Sequence, residues 1–323
     1  MPVVAEIYRT FAEREARGRS ALYVELARGV AGDPELLALL AALPPAKRQP
    51  NLLFSAVQLL HGTPAGFAEL RGYVLEHRDE VVTTVLARRT QTNEPARCAT
   101  LLPLLARLPP PLALLEVGAS AGLCLLIDRY GYDYGGHRVA PVQRVGAEPP
   151  VFSCRASPAT PLPRGIDVAW RAGLDLEPVD VHDEDSVAWL EALVWPGEGD
   201  RLALLRQALA VARADPPRVV AGDLRRDLPA LAAEAPRDAT LVVFHTAVLS
   251  YVADPAERRA FARTVRALGA TWVANEGPDV LTEPAGEPWP RGRFRLTCDG
   301  RPVAWTDPHG TTIDWLGGPP GNT

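Results

Sequence analysis

Several residue types and motifs are scarce in this chain. Of 323 residues four are cysteine and one is methionine, and Lys47 is the single lysine. Cys98, Cys124, Cys154 and Cys298 stand too far apart for a Cys-x-x-Cys pair. That excludes closely spaced zinc or thiol–disulfide motifs and leaves buried thiols in a reducing compartment as the expectation. The histidines include no His-x-x-x-His spacing, so no metal site is expected. There is no Gly-Lys-Ser/Thr, which excludes a P-loop. No apolar run reaches membrane-spanning length without charge or proline. Glu6 and Glu13 occupy the place where a signal peptide would be apolar, so a cytoplasmic protein without membrane partners is expected. The net charge of -5 offers no basic surplus for nucleic acid.

Apolar residues are plentiful at 47%, against 23% charged, a balance typical of a soluble domain with an ample core. Apolar spacing predicts helices over 21–30, 34–43, 52–61, 66–76, 80–89 and 95–108. Asp33 before Pro34 is a natural N-cap with proline in the first turn. Pro109-Pro110-Pro111 then breaks the pattern, which suggests a helical cap region over 1–108 and a second domain over 109–323. In the latter, strands are expected at 112–117, 168–174, 218–221, 241–244 and 271–274. Helices are expected at 121–130, 185–195, 201–214, 228–234 and 255–268. The alternation predicts an α/β fold with a doubly wound, mostly parallel sheet. Residues 293–298 and 302–305 around Asp299-Gly300 predict a C-terminal antiparallel hairpin, and 311–316 a further strand. The Gly-, Pro- and aromatic-rich stretch 131–165 reads as an irregular insertion.

The most informative segment is Leu112–Leu123. An apolar strand runs into Gly118, Ser120 and Gly122 and then into a helix-like run. Small residues there allow close approach to a ligand, and a helix start offers free N–H groups. The same letters also spell Gly-x-Ser-x-Gly, the nucleophile elbow of serine hydrolases. Acidic and polar groups follow the other strands too: Asp175, Asp223 with Leu224, His245 through Tyr251, and Asn275-Glu276.

This series resembles the class I S-adenosylmethionine-dependent methyltransferases over the last two-thirds of the chain. The match rests on Glu116, Gly118, Ser120 and Gly122 after the first strand, Asp175 after the second, Asp223 after the third, and residues 245–251 after the fourth. The resemblance implies a Rossmann-like fold and S-adenosylmethionine as cofactor. It places the methionine part on Gly118, Ser120 and Gly122, the ribose on Asp175 and the adenine on Asp223 and Leu224, with Glu116 in the acidic rim. His245 and Tyr251 are then the candidate catalytic residues, His245 also lining the donor site. Gln91, Asn93, Asn275 and Glu276 are candidate contacts for a small-molecule acceptor. Ser120 departs from the family's middle glycine, and no Asn-Pro-Pro-Tyr follows the fourth strand, which argues against methylation of nucleic-acid bases. The whole chain also resembles an uncharacterised bacterial family, on Thr90–Glu94, Glu116–Leu123 and Asn275–Pro278.

Two alternatives stand beside this expectation. One is a non-catalytic binding or scaffold protein that keeps the fold. The other is a serine hydrolase with Ser120 as nucleophile, Asp223 as acid and His245 or His309 as base. Against it, the region upstream of the elbow reads as helix, and Glu116 would set charge beside a developing oxyanion.

Overall fold

Helices fill the first part of the chain, as their caps and apolar spacing predict. The computed structural model describes residues 2–91, 93–146, 148–277, 280 and 289–317. Thr92 and Pro278, which belong to two of the quoted motifs, lie outside the described residues. The chain divides into two compact units, one of Met1–Thr92 with Asp183–Ala203 and one of Asn93–His182 with Leu204–Thr323.

In the first unit, Asp33 caps helix Pro34–Ala42, accepting from the N–H groups of Glu35 and Leu36. Such a cap contributes about 1 kcal/mol. The core gathers Tyr8, Phe11, Tyr23, Phe54 and Trp195, with Tyr23 ring centroids 5.0 Å from Phe54 and 5.3 Å from Trp195. Trp195 comes from the stretch that local spacing assigns to the sheet domain. Trp189, Ala192 and Trp195 instead bury their apolar side chains in this helical core.

The second unit begins before the proline break, so helix Cys98–Leu105 belongs to it. Its strands, in chain order, are β1 (Leu112–Val117), β2 (Gly131–Asp133), β3 (Arg138–Val139), β4 (Val151–Ser153), β5 (Arg155–Ala156), β6 (Val168–Asp175), β7 (Val219–Ala221), β8 (Thr240–Thr246), β9 (Thr271–Glu276), β10 (Phe294–Cys298), β11 (Arg301–Thr306) and β12 (Thr312–Trp315). A nine-stranded sheet has the order β5-β12-β11-β10-β9-β8-β1-β6-β7. From β7 to β9 the strands pair in parallel, and β10 to β12 continue antiparallel. The result is a mixed α/β unit with a large, mostly parallel core sheet and an antiparallel end. The Asp299-Gly300 turn has both residues at positive φ, 52° and 80°, as a two-residue hairpin requires.

Two expectations need correction here. Residues 131–165 are not wholly irregular: β2, β3 and β4 form a small sheet of their own. The predicted helix 121–130 is a 3-10 turn over Leu123–Arg129, interrupted at Leu126. Side chains take the carbonyls that an α-helix would use. Arg171 Nη1 donates to Leu125 O at 2.8 Å, Tyr130 Oη to Leu123 O at 2.9 Å and Tyr132 Oη to Ile127 O at 2.5 Å. Asp128 holds Arg171 in place with both carboxylate oxygens.

The connection from β11 to β12 docks on the Pro95–Arg97 turn so closely that a Cβ on Gly310 would lie 2.1 Å from Ala96 O. Gly310 also has φ of 80°, a region costly for L side chains. Gly310→Ala is therefore expected to destabilise the protein by at least about 1–3 kcal/mol. Chemical denaturation checks this, and a midpoint equal to that of the parent would refute the close approach.

Candidate functional site

In an open α/β sheet, ligands gather where the strand order reverses, beyond the carboxyl ends of the strands. That point lies between β1 and β8, since β6 follows β1 on one side and β8 flanks it on the other. Pairing sorts the side chains there by face. Glu116 pairs with Phe244 and Gly173, Thr246 with Asn275, and Phe294 with Thr306. Alternation then places Glu116, Asp175, Thr246 and Asn275 on one face, with Leu115, His245 and Glu276 on the other.

The turn after β1 is tightly wound. Gly118, Ser120 and Gly122 have φ of 72°, 51° and 69°. Gly118 N–H donates to Leu174 O, Ser120 N–H to Asp175 Oδ2 at 2.8 Å, Ala121 N–H to Asn93 Oδ1 at 3.2 Å and Gly122 N–H to Ala119 O. These donors are engaged within the protein, and no α-helix begins here. The expected anion cradle is thus replaced by a braced backbone turn. Val248 packs over it, its Cγ2 2.3 Å from where a Cβ on Gly118 would be.

Glu116, on the last turn-facing position of β1, is 4% exposed, and its Oε2 has no partner among the described residues. Burial pushes its carboxyl well above the usual carboxylate range, Cys124 and Asp175 add to the rise, and Arg97 opposes it.

Arg97 covers the same face. It is 4% exposed, donating from Nε to Pro308 O at 2.8 Å and from Nη1 to Thr246 O and Oγ1 at 3.2 Å. Its guanidinium stands 5.7 Å over the Phe294 ring. Asn275 is buried beside Thr246, its Oδ1 accepting from Thr306 Oγ1 at 2.7 Å and its Nδ2 without a partner among the described residues. Close by in sequence to Arg97, Glu94 gives Oε2 to His309 Nδ1 at 3.0 Å. A buried arginine, a buried carboxylate and a buried amide thus crowd the strand ends with hydrogen-bonding capacity left over, the composition of a site for a polar small molecule.

A model of the family described as "Uncharacterized protein conserved in bacteria (DUF2332)" matches residues 5–315. The chain belongs to this family. No curated protein and no solved structure matches it significantly.

Of the residues singled out from sequence, Glu116, Gly118, Ser120, Gly122, Asp175 and Asn93 come together at the turn after β1, Asn93 Nδ2 donating to Ser120 Oγ at 2.8 Å. His245 and Tyr251 do not assemble as a catalytic pair. His245 is fully buried on the opposite face. The Trp272 indole N–H donates to its Nε2 at 3.0 Å, so Nδ1 carries the proton and donates to Glu276 Oε1 at 2.6 Å. With both nitrogens engaged, the ring has no lone pair to offer as a base. Glu276 Oε1 also accepts from the Val248 and Leu249 N–H groups and so braces the loop after β8, while its Oε2 is buried without a partner among the described residues. Tyr251 is 68% exposed.

Asp223 is engaged elsewhere. Its carboxylate binds Arg225, which also reaches Glu257, and the Arg225 contact holds the Asp223 carboxyl down at about 2. A hollow of about 340 Å³ opens beside Asp223, Arg225, Arg226 and Glu257, and Leu224 packs partly buried against the sheet core. Gln91 belongs to the first unit. Ser120 Oγ, the nucleophile of the hydrolase alternative, accepts from Asn93 Nδ2 and has no histidine partner among the described residues. Sequence reasoning missed Arg97, though a lone charge among Pro95, Ala96, Cys98 and Ala99 is itself a signal, because buried charges are rarely idle.

The raised carboxyl of Glu116 has a consequence for stability. A group whose folded pKa is raised stabilises fully below its unfolded value, about 4.3, and loses that contribution as pH climbs toward the folded value. Glu116→Gln removes the ionisation and keeps the shape. Its melting temperature is expected to match that of the parent near pH 4 and to exceed it increasingly toward pH 8. Parallel thermal melts across that range decide the matter, and a constant difference would contradict it.

Proposed function

We propose that the second unit binds S-adenosylmethionine and directs methyl transfer to a small-molecule acceptor. The supporting observation is the unpartnered, buried oxygen of Glu116 at the strand-order reversal. An orphaned carboxylate oxygen there calls for a cation or a hydrogen-bond donor, and the donor molecule carries both a sulfonium and an ammonium. Its bound form supplies an electrophilic methyl group. The positive charge of the bound molecule favours the ionised form of Glu116, and the small residues of the Gly118–Gly122 turn leave room for it once Val248 has moved off Gly118. Asp175 and Asn93 fix that turn through Ser120 and Ala121. Asp223, whose carboxylate holds Arg225, is left out of this donor site, and the catalysis assigned to the chain is orientation and exclusion of water.

One observation favours a second reading, a binding or scaffold protein without catalysis. Val248 lies against Gly118, so a nucleoside at the turn requires the loop after β8 to shift. Isothermal titration separates the two. Saturable binding of S-adenosylmethionine and S-adenosylhomocysteine is expected, weakened in Glu116→Gln by about 1.5–3 kcal/mol, the scale of a hydrogen bond to a charged group. Absence of binding by both nucleosides would favour the scaffold.

A further inference from the structure

We infer that Arg97 and Asn275 form the seat of a carboxylate carried by the small-molecule acceptor, a deepening that rests on the proposed methyl transfer. Two independent observations lead there. First, Arg97 is buried, yet among the described residues its partners are the carbonyls of Pro308 and Thr246, the Thr246 hydroxyl and the Phe294 ring. None of these carries negative charge. A guanidinium withdrawn from water is normally matched by an anion, and the acid nearest in sequence, Glu94, already gives its Oε2 to His309. Nη2 of Arg97 donates no hydrogen bond among the described residues, so one edge of the fork is open. Second, Asn275 is fully buried with its Oδ1 fixed by Thr306, leaving Nδ2 as a donor without an acceptor.

The two groups are neighbours through Thr246, which binds Arg97 and pairs with Asn275 across β8 and β9. What both lack is an acceptor. A planar carboxylate presents two oxygens at the spacing a guanidinium edge and an amide N–H can meet together. A phosphate dianion fits less well, because it brings a second charge and further oxygens for which a guanidinium edge and one amide N–H offer no partner.

The test titrates the full chain with sodium acetate at constant ionic strength and follows the Arg97 guanidinium and Asn275 amide resonances by nitrogen-resolved NMR. The titration is run with and without saturating S-adenosylhomocysteine, and sodium phosphate is the rival anion. Saturable shifts of both groups in either condition are expected. Affinity should fall at least about tenfold in Arg97→Met and in Asn275→Leu, since each removes a donor to a charged group. Arg97→Lys, which keeps the charge and loses the fork, should fall between. Should Arg97→Met fail to fold, the resonances of the unaltered protein and Asn275→Leu carry the test. No saturable shift, or tighter binding of phosphate than of acetate, overturns the seat. Displacement of acetate by S-adenosylhomocysteine overturns its assignment to the acceptor, because the carboxylate would then be the donor's own. Binding of acetate by a protein that does not bind the nucleoside leaves the seat standing and removes methyl transfer.

Discussion

Arg97 joins three pieces of the second unit that are far apart in sequence. Its backbone lies in the Pro95–Arg97 turn, its Nη1 holds the end of β8 at Thr246, and its Nε holds Pro308 between β11 and β12. Gly310 rests on Ala96 in the same contact, and His309 meets Glu94. Most of the polar layer over this face of the sheet therefore depends on one guanidinium placed without a counter-ion among its direct partners. Burying it unpaired opposes folding. The unit tolerates that cost beside Glu116, whose own carboxylate is also incompletely bonded, at the point where the topology makes a ligand site.

The opposite face carries a denser network, although Glu276 Oε2 is buried without a partner among the described residues. His245 bonds through both nitrogens, and Glu276 Oε1 takes three donors, from His245, Val248 and Leu249. Phe261 and Trp272 pack around the histidine, with ring centroids at 5.6 and 6.0 Å. This network fixes the loop that follows β8, including Ala247 at φ of 57°, a conformation an alanine holds only when its surroundings impose it.

The legible part of the chain was the part governed by local rules. The apolar run Leu112–Val117, the Asp33-Pro34 cap and the Asp299-Gly300 hairpin all appear where apolar pattern and turn chemistry place them. The helix after Gly122 does not, because Arg171 and two tyrosines take its carbonyls from elsewhere in the unit. Trp195 joined the helical core for a similar reason, since apolar spacing says that a face is buried but not against what. In the site, position after a strand identified Glu116 and Asp175. It could not distinguish His245 from Thr246, adjacent residues whose side chains point to opposite faces, and face depends on register with β9.

That distinction decides which residues can do chemistry. A histidine at a strand end, followed by a loop and flanked by an acid in the next strand, reads as a base by every local criterion. Its capacity as a base lies in a free lone pair, and the Trp272 indole, which can only donate, occupies that lone pair. Conversely, Arg97 sits in a stretch with no catalytic spelling, and Asn275 stands out in the sequence by its position at the end of a strand. Among the described residues, Nη2 of the arginine donates no hydrogen bond, and Nδ2 of the asparagine is buried without a partner. Unmet buried donors oppose folding unless something supplies an acceptor, and that cost is the physical ground on which the proposed carboxylate seat stands.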